Sequence, residues 1–177
     1  MTAVFPALSR NSNRIQSVSL RSNALAERLE RGAVELTRFA EGLTDAEWMK
    51  PTPQDGRTVG VIVHHVAKMY PLEIELALQL ARSEPIVGVT WTEVAKINAA
   101  HAAEFEQVSK RDALELLARN SADAAQAIRQ MTEEQLNGAA SVSLYADAPL
   151  TCQFFLEDHA VRHSYHHLNR LRAAVGQ

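Results

Sequence analysis

The chain has 177 residues, 46% of them hydrophobic and 22% charged, with a formal charge of −3. That length suits one domain with its own core rather than two, and the slight acidity gives no electrostatic basis for nucleic acid or an anionic membrane as partner. A single cysteine, Cys152, excludes an intrachain disulfide and a thiolate metal cluster, and suits a reducing cytoplasm.

The first 22 residues carry Arg10, Arg14 and Arg21 and no acid. They lack an apolar h-region, so a loosely held N-terminal arm is expected over residues 1–22, without a secretory signal, and a helical domain over 23–177. The first helix is predicted over Asn23 to Glu41, with Leu25, Leu29, Leu36 and Phe39 on its apolar face. Gly42 stops it, Thr44-Asp45-Ala46-Glu47 opens a short helical turn, and Pro51, Pro53 and Gly56 make a loop. A second long helix starts at Thr58, a good N-cap, and runs to about Arg82. A third, capped by Thr90 or Thr92, extends to about Val108, and a fourth runs from Arg111 to Met131 behind the Ser109 cap. The last spans about Pro149 to Ala174. Val142 to Tyr145 is the only short strand candidate. No apolar stretch is long enough to span a bilayer, Val59 to Val63 being typical of the longest. The stretches GLTDAEWM and QMTEEQLN, each following a long helix, form a weak repeat. Two such helix pairs pack as an all-α four-helix bundle, with the 91–108 helix as an addition.

Four of the seven histidines, His159, His163, His166 and His167, fall within nine positions near the C-terminus. Spaced at about 100° per residue, His64 shares a polar stripe with Lys68, Glu75 and Arg82. His65 lines up instead with Met69, Leu72 and Leu76. In the last helix Phe154, Val161, Leu168 and Leu171 form the apolar face, with His163 and His167 beside it. Asp158, Arg162 and Asn169 mark the wet side, His166 leans towards it, and His159 lies nearer water. His65, His163 and His167 are therefore three semi-buried imidazoles from two helices. Left without partners they cost about 1–3 kcal/mol each. One divalent ion satisfies all three and keeps open positions for water and substrate. An HxxxH pair alone is equally a helix end favoured by the macrodipole. His101 has no partner at ligand spacing and is expected at the surface or in a helix contact. A di-iron carboxylate bundle requires Glu-x-x-His, which occurs nowhere in the sequence.

TVGVIVHHVAKM (58–69), HSYHHLNRL (163–171) and the approach GLTDAEWMKPTPQDGRTVG resemble the motifs of the DinB/YfiT-like superfamily over about residues 23 to 174. The resemblance implies a four-helix bundle and a homodimer, with nickel or zinc held by His65, His163 and His167. It also implies chemistry on low-molecular-weight thiols such as bacillithiol, mycothiol or glutathione. The family's Arg-Gly-Gln after the last ligand is here Leu168-Asn169-Arg170, so Arg170 is the candidate to bind a thiol cofactor, one turn late. Asp158 and His159 are the catalytic candidates for proton transfer beside a metal that activates a thiol or water. Glu157 lies on the apolar side of its wheel and is expected to pair with Arg28 or Arg38. Cys152 reads as a small buried filler rather than a nucleophile. The resulting expectation is a cytoplasmic, metal-dependent thiol S-transferase or hydrolase acting on a small molecule. A non-catalytic metal-binding or stress-responsive dimer is the alternative.

Overall fold

The computed structural model describes residues 19–177, and most of these are helical. Helix α1 spans Leu20–Glu41, starting three residues before the expected Asn23 because the Ser19 side chain accepts from the Ser22 backbone N–H and caps it. The expected arm of residues 1–22 otherwise lies outside the described residues. Leu25, Leu29, Leu36 and Phe39 are buried along α1 as the periodicity requires.

The repeat has a physical basis. Helices α2 (Asp45–Trp48) and α6 (Glu133–Asn137) both begin with a capping box, Thr44 with Glu47 and Thr132 with Gln135. Each box turns the chain after a long helix. Behind α2, the Trp48 ring lies so close to Gly60 that a Cβ there would meet it at 2.5 Å. The Trp48 indole N–H donates to the Val108 carbonyl. Gly60 thus lets α2 pack onto the first turn of α3 (Val59–Ala81), which Thr58 caps.

Pro71 sits inside α3 and has no N–H for the Ala67 carbonyl four residues back. The Asn120 side-chain amide donates to that carbonyl instead, at 2.9 Å, from α5 (Lys110–Arg129). One polar bond therefore repairs the helix and fixes α5 against it. Helix α4 (Trp91–Glu104) starts at the Thr90 cap.

After α6 comes a two-stranded antiparallel hairpin, β1 (Ala139–Val142) and β2 (Ala148–Thr151). A 3-10 turn and left-handed Ala146 and Asp147 join the strands. Pro149 is thus a strand residue rather than the start of the last helix, which begins at Cys152 because Thr151 caps it. That helix has three consecutive parts, α7 (Cys152–Leu156), a π-helical turn (Glu157–Val161) and α8 (Arg162–Val175). A π-turn holds one residue more than an α-helix does, so the part before it is rotated relative to the part after it. This corrects the wheel: Phe154 is 48% exposed, while Cys152, Phe155 and Leu156 are buried. It also turns Glu157 outward to pair with Arg28 at 2.8 Å.

The bundle consists of α1, α3, α5 and the α7–α8 helix. Helices α5 and α8 each pack against both α1 and α3, and the consecutive long helices α1 and α3 are diagonal. Lys110 at the start of α5 donates to the Leu43 carbonyl beyond the end of α1, and Ser19 before α1 meets Glu133 after α5. So α1 and α5 are antiparallel, whereas α3 and α5 run the same way, with α4 as the return crossover that makes this possible. The helix expected as an addition is therefore a topological requirement. Between α3 and α8, the fully buried Tyr70 and Ser164 hydroxyls meet at 2.6 Å. This bond sets the register of the two helices that carry the histidines.

Candidate functional site

His65 projects from the second turn of α3, and His163 and His167 from successive turns of α8. One nitrogen from each lies within 4.8 Å of the others, the only such group of three His, Cys, Asp or Glu among the described residues. The ring centroids are 4.9 to 5.5 Å apart. His65 and His167 are buried and His163 nearly so. Burial, reinforced by the neighbouring imidazoles, pushes His65 down to about 2 and holds His167 far below the ordinary histidine value. The two rings are therefore neutral, with lone pairs available. The Nδ1 atoms of both are buried without any hydrogen-bond partner. Three imidazoles each offering one nitrogen within 4.8 Å of the others, two of them neutral, fit a divalent cation of the kind bound by imidazole.

Glu73, two turns beyond His65 on α3, places Oε1 2.7 Å from His163 Nδ1. It is 7% exposed, and its other oxygen, Oε2, is buried without a partner. A carboxylate on the distal nitrogen orients a ligating histidine and fixes its tautomer. Glu73 was missed in the sequence. Its signal was an acid eight positions from His65, on the same face of α3.

The cluster forms the floor of a cavity of about 440 Å³ between α3, α4, the hairpin and α7–α8. Asp158 and His159 line it as well. His159 is half-buried rather than near water, because the π-turn swings it inward, and it stacks on Phe155 at 4.2 Å. The Tyr145 hydroxyl, delivered by the hairpin, bonds both the Asp158 carboxylate and, at 3.0 Å, His159 Nε2. A hydroxyl has one proton, and the carboxylate can only accept, so His159 Nε2–H donates to the Tyr145 oxygen. Burial and Asp158 together raise the Tyr145 pKa and keep it protonated. Arg170 does not line the cavity. Asp55 holds it at 3.1 Å, and Asp55 in turn also binds Arg57.

His64 corrects the wheel outright. It is 6% exposed, its Nδ1 lies 2.9 Å from His101 Nε2, and Phe105 covers its ring at 4.0 Å. Helix α4, with Phe105 at its C-cap, carries His101 and Phe105 over the stripe that polarity alone assigned to solvent. His101 is a buried helix contact, pushed down to about 4 by burial and by His64. His166 stays exposed at the cavity edge. Cys152 is fully buried 3.9 Å from Met131 Sδ, and burial pushes its thiol up to about 11, which leaves it a filler. A shallower groove of about 610 Å³ between α1 and α8 contains none of the histidines.

Fold and site together define a four-helix bundle with a three-histidine cluster able to hold a metal ion. The sequence matches the model of the DinB superfamily over residues 28–171, and the chain belongs to that superfamily. No curated protein matches it. Among solved structures, it resembles YfiT from Bacillus subtilis, described as a probable metal-dependent hydrolase with an unusual four-helix bundle topology. The two share 22% identity and a TM-score of 0.69 over 91% of each chain. The mycothiol-dependent maleylpyruvate isomerase gives a TM-score of 0.65 at 15% identity, over 85% of this chain and 60% of that one. The colibactin self-resistance protein ClbS, solved in complex with double-stranded DNA, gives 0.67 at 15% identity, over 87% and 94%. At such identities these likenesses establish the fold. One neighbour with DNA bound means that the fold lends no weight to the exclusion of nucleic acid, which rests on net charge alone. Among the described residues, no helix is long and apolar enough to cross a membrane.

Proposed function

We propose that this protein is a metal-dependent enzyme in which His65, His163 and His167 hold one divalent cation, zinc or nickel, beneath a substrate cavity. The observation that carries this reading is the convergence of three imidazoles, one nitrogen of each within 4.8 Å of the others, at the floor of a 440 Å³ cavity. A cation bound by three neutral ligands supplies a Lewis acid that lowers the pKa of a thiol or water in its open positions.

The chain's own residues then have distinct tasks. Glu73 orients His163. Asp158 holds the Tyr145 hydroxyl, and Tyr145 holds the His159 proton on Nε2, so Nδ1 is the nitrogen of His159 free to take a proton. The activity is hydrolysis or thiol transfer on a small molecule. Arg170, tied to Asp55, is not placed to bind a thiol cofactor without breaking that pair, which favours hydrolysis.

Elemental analysis of protein purified without a histidine tag tests the metal, and a turnover screen with and without added thiol tests the chemistry. Stoichiometric metal with turnover supports the enzyme. Stoichiometric metal without turnover in either arm favours the non-catalytic metal-binding alternative, in a proposed cytoplasmic homodimer. Protein free of metal, and unable to take it up, overturns both.

A further inference from the structure

Away from the histidines the cavity walls are mostly apolar, although Asn98 and Arg162 also line it. Met69, Leu72 and Leu76 form one wall from α3, and Val89, Trp91, Val94 and Ile97 form another from α4 and its approach. The hairpin closes the end with Val142 and Leu144. Three of these side chains remain open to solvent at the rim, Leu72 at 40%, Ile97 at 50% and Trp91 at 66% exposure. At its polar end the cavity is floored by His65, His163 and His167, with Asp158 and His159 beside them. The volume of about 440 Å³ matches about fifteen heavy atoms, at the ~30 Å³ that a water molecule occupies in the liquid.

We infer that the substrate is a small amphiphile, an unbranched or aromatic hydrocarbon body of about ten carbons with a polar head. The body lies between α3 and α4, and the head reaches the histidine cluster. The occupant is a small molecule rather than a second copy of the chain, because the apolar walls lead down to a polar floor that a flat protein face does not reach. The inference rests on the metal reading for the head alone, while the apolar walls stand without it.

Two homologous series test these halves separately. n-Alkyl hydroxamates from two to ten carbons are titrated into zinc-loaded full-length protein, and n-alkanols of the same lengths into the chelated protein. The readout is fluorescence from Trp91, since Trp48 is buried. Affinity is expected to rise up to about fourfold per methylene in both series and to level off once the groove is full. Ile97→Glu and Leu72→Glu, both at the exposed rim, are expected to flatten that rise while far-UV circular dichroism stays unchanged. Alkanol affinity that rises with length in chelated protein, while no hydroxamate binds tighter than its matched alkanol, supports the groove and removes the metal reading. Affinity independent of length in both series overturns the inference, even where short hydroxamates bind. A rim variant that splits a dimer in sedimentation without altering the slopes overturns it too, because the rim then serves a second copy.

Discussion

Glu73 and His163 meet across the α3–α8 interface, carboxylate Oε1 to imidazole Nδ1, at 2.7 Å. The contact joins the two helices that supply the histidine cluster, and it leaves Nε2 as the free nitrogen of His163. Glu73→Gln keeps the volume and removes the charge. It is expected to weaken zinc binding about 10–100-fold, the usual effect of losing a partner of a ligating histidine, with helix content unchanged. Competition against a fluorescent chelator measures this, and an affinity equal to wild type would refute the positioning role.

Alanine variants of the histidines separate into two groups. His65→Ala, His163→Ala and His167→Ala are each expected to lose most of the bound metal and to remain folded. His64→Ala removes a ring packed between His101 and Phe105, so it is expected to lower the unfolding midpoint while metal per folded chain stays near wild type. Elemental analysis paired with thermal melts distinguishes the groups. A His64→Ala protein of native stability that has lost its metal would reverse the assignment.

Burial, foremost among the causes, depresses the titration of His64, His65, His101, His159 and His167 in the fold. These rings are neutral when folded and take up protons near the ordinary value of about 6.5 when unfolded. The unfolded state therefore binds more protons below that pH, and stability falls as pH drops through it. Each such ring contributes up to about 1.4 kcal/mol per pH unit, His101 down to about pH 4 and His65 down to about pH 2. Chelated protein is expected to lose about 2 kcal/mol or more between pH 7.5 and 5.5, a window above the carboxylate range. Urea titrations at the two pH values check this, and an unchanged or higher midpoint at pH 5.5 would contradict it.

The Asn120 bond to the Ala67 carbonyl lends itself to a double-mutant cycle. Asn120→Ala strands that carbonyl beside Pro71 and is expected to cost about 1–3 kcal/mol. Pro71→Ala restores an N–H to the same carbonyl, so the cost of Asn120→Ala should shrink by about half or more in that background. Equal costs in both backgrounds would show that Asn120 acts through packing alone.

Helix caps and apolar periodicity made most of the bundle legible, because both are local. Thr44, Thr58, Thr90 and Ser109 cap the helices that their side chains announce. His65, His163 and His167 came together because each lies beside an apolar stripe. What stayed hidden depends on distant chain. His64 looked solvent-facing because nothing in residues 58–82 reveals that α4 crosses back over it. Glu73 looked like one more acid until α8 brought His163 against it. Phe154 and His159 were misplaced for another reason: a wheel assumes one uniform period, and the π-turn at Glu157–Val161 breaks it. The strand candidate Val142 to Tyr145 touched the hairpin only at Val142 and otherwise fell on its 3-10 turn, because the two strands are four residues each and too short to show a period.

That π-turn makes the last helix behave as two rotors on a common axle. Upstream, Cys152, Phe155 and Leu156 are phased to the core. Downstream, His163 and His167 are phased to the cluster, and the one surplus residue sets the angle between the halves. Deleting a single residue within Glu157–Val161 is therefore a rotation of about 100°, felt at every side chain on one side of the cut. The bundle can keep the phase of its core or of its imidazoles after such a deletion, and not both. A substitution in the same five residues leaves the angle alone. Length, more than composition, is what this stretch of chain encodes.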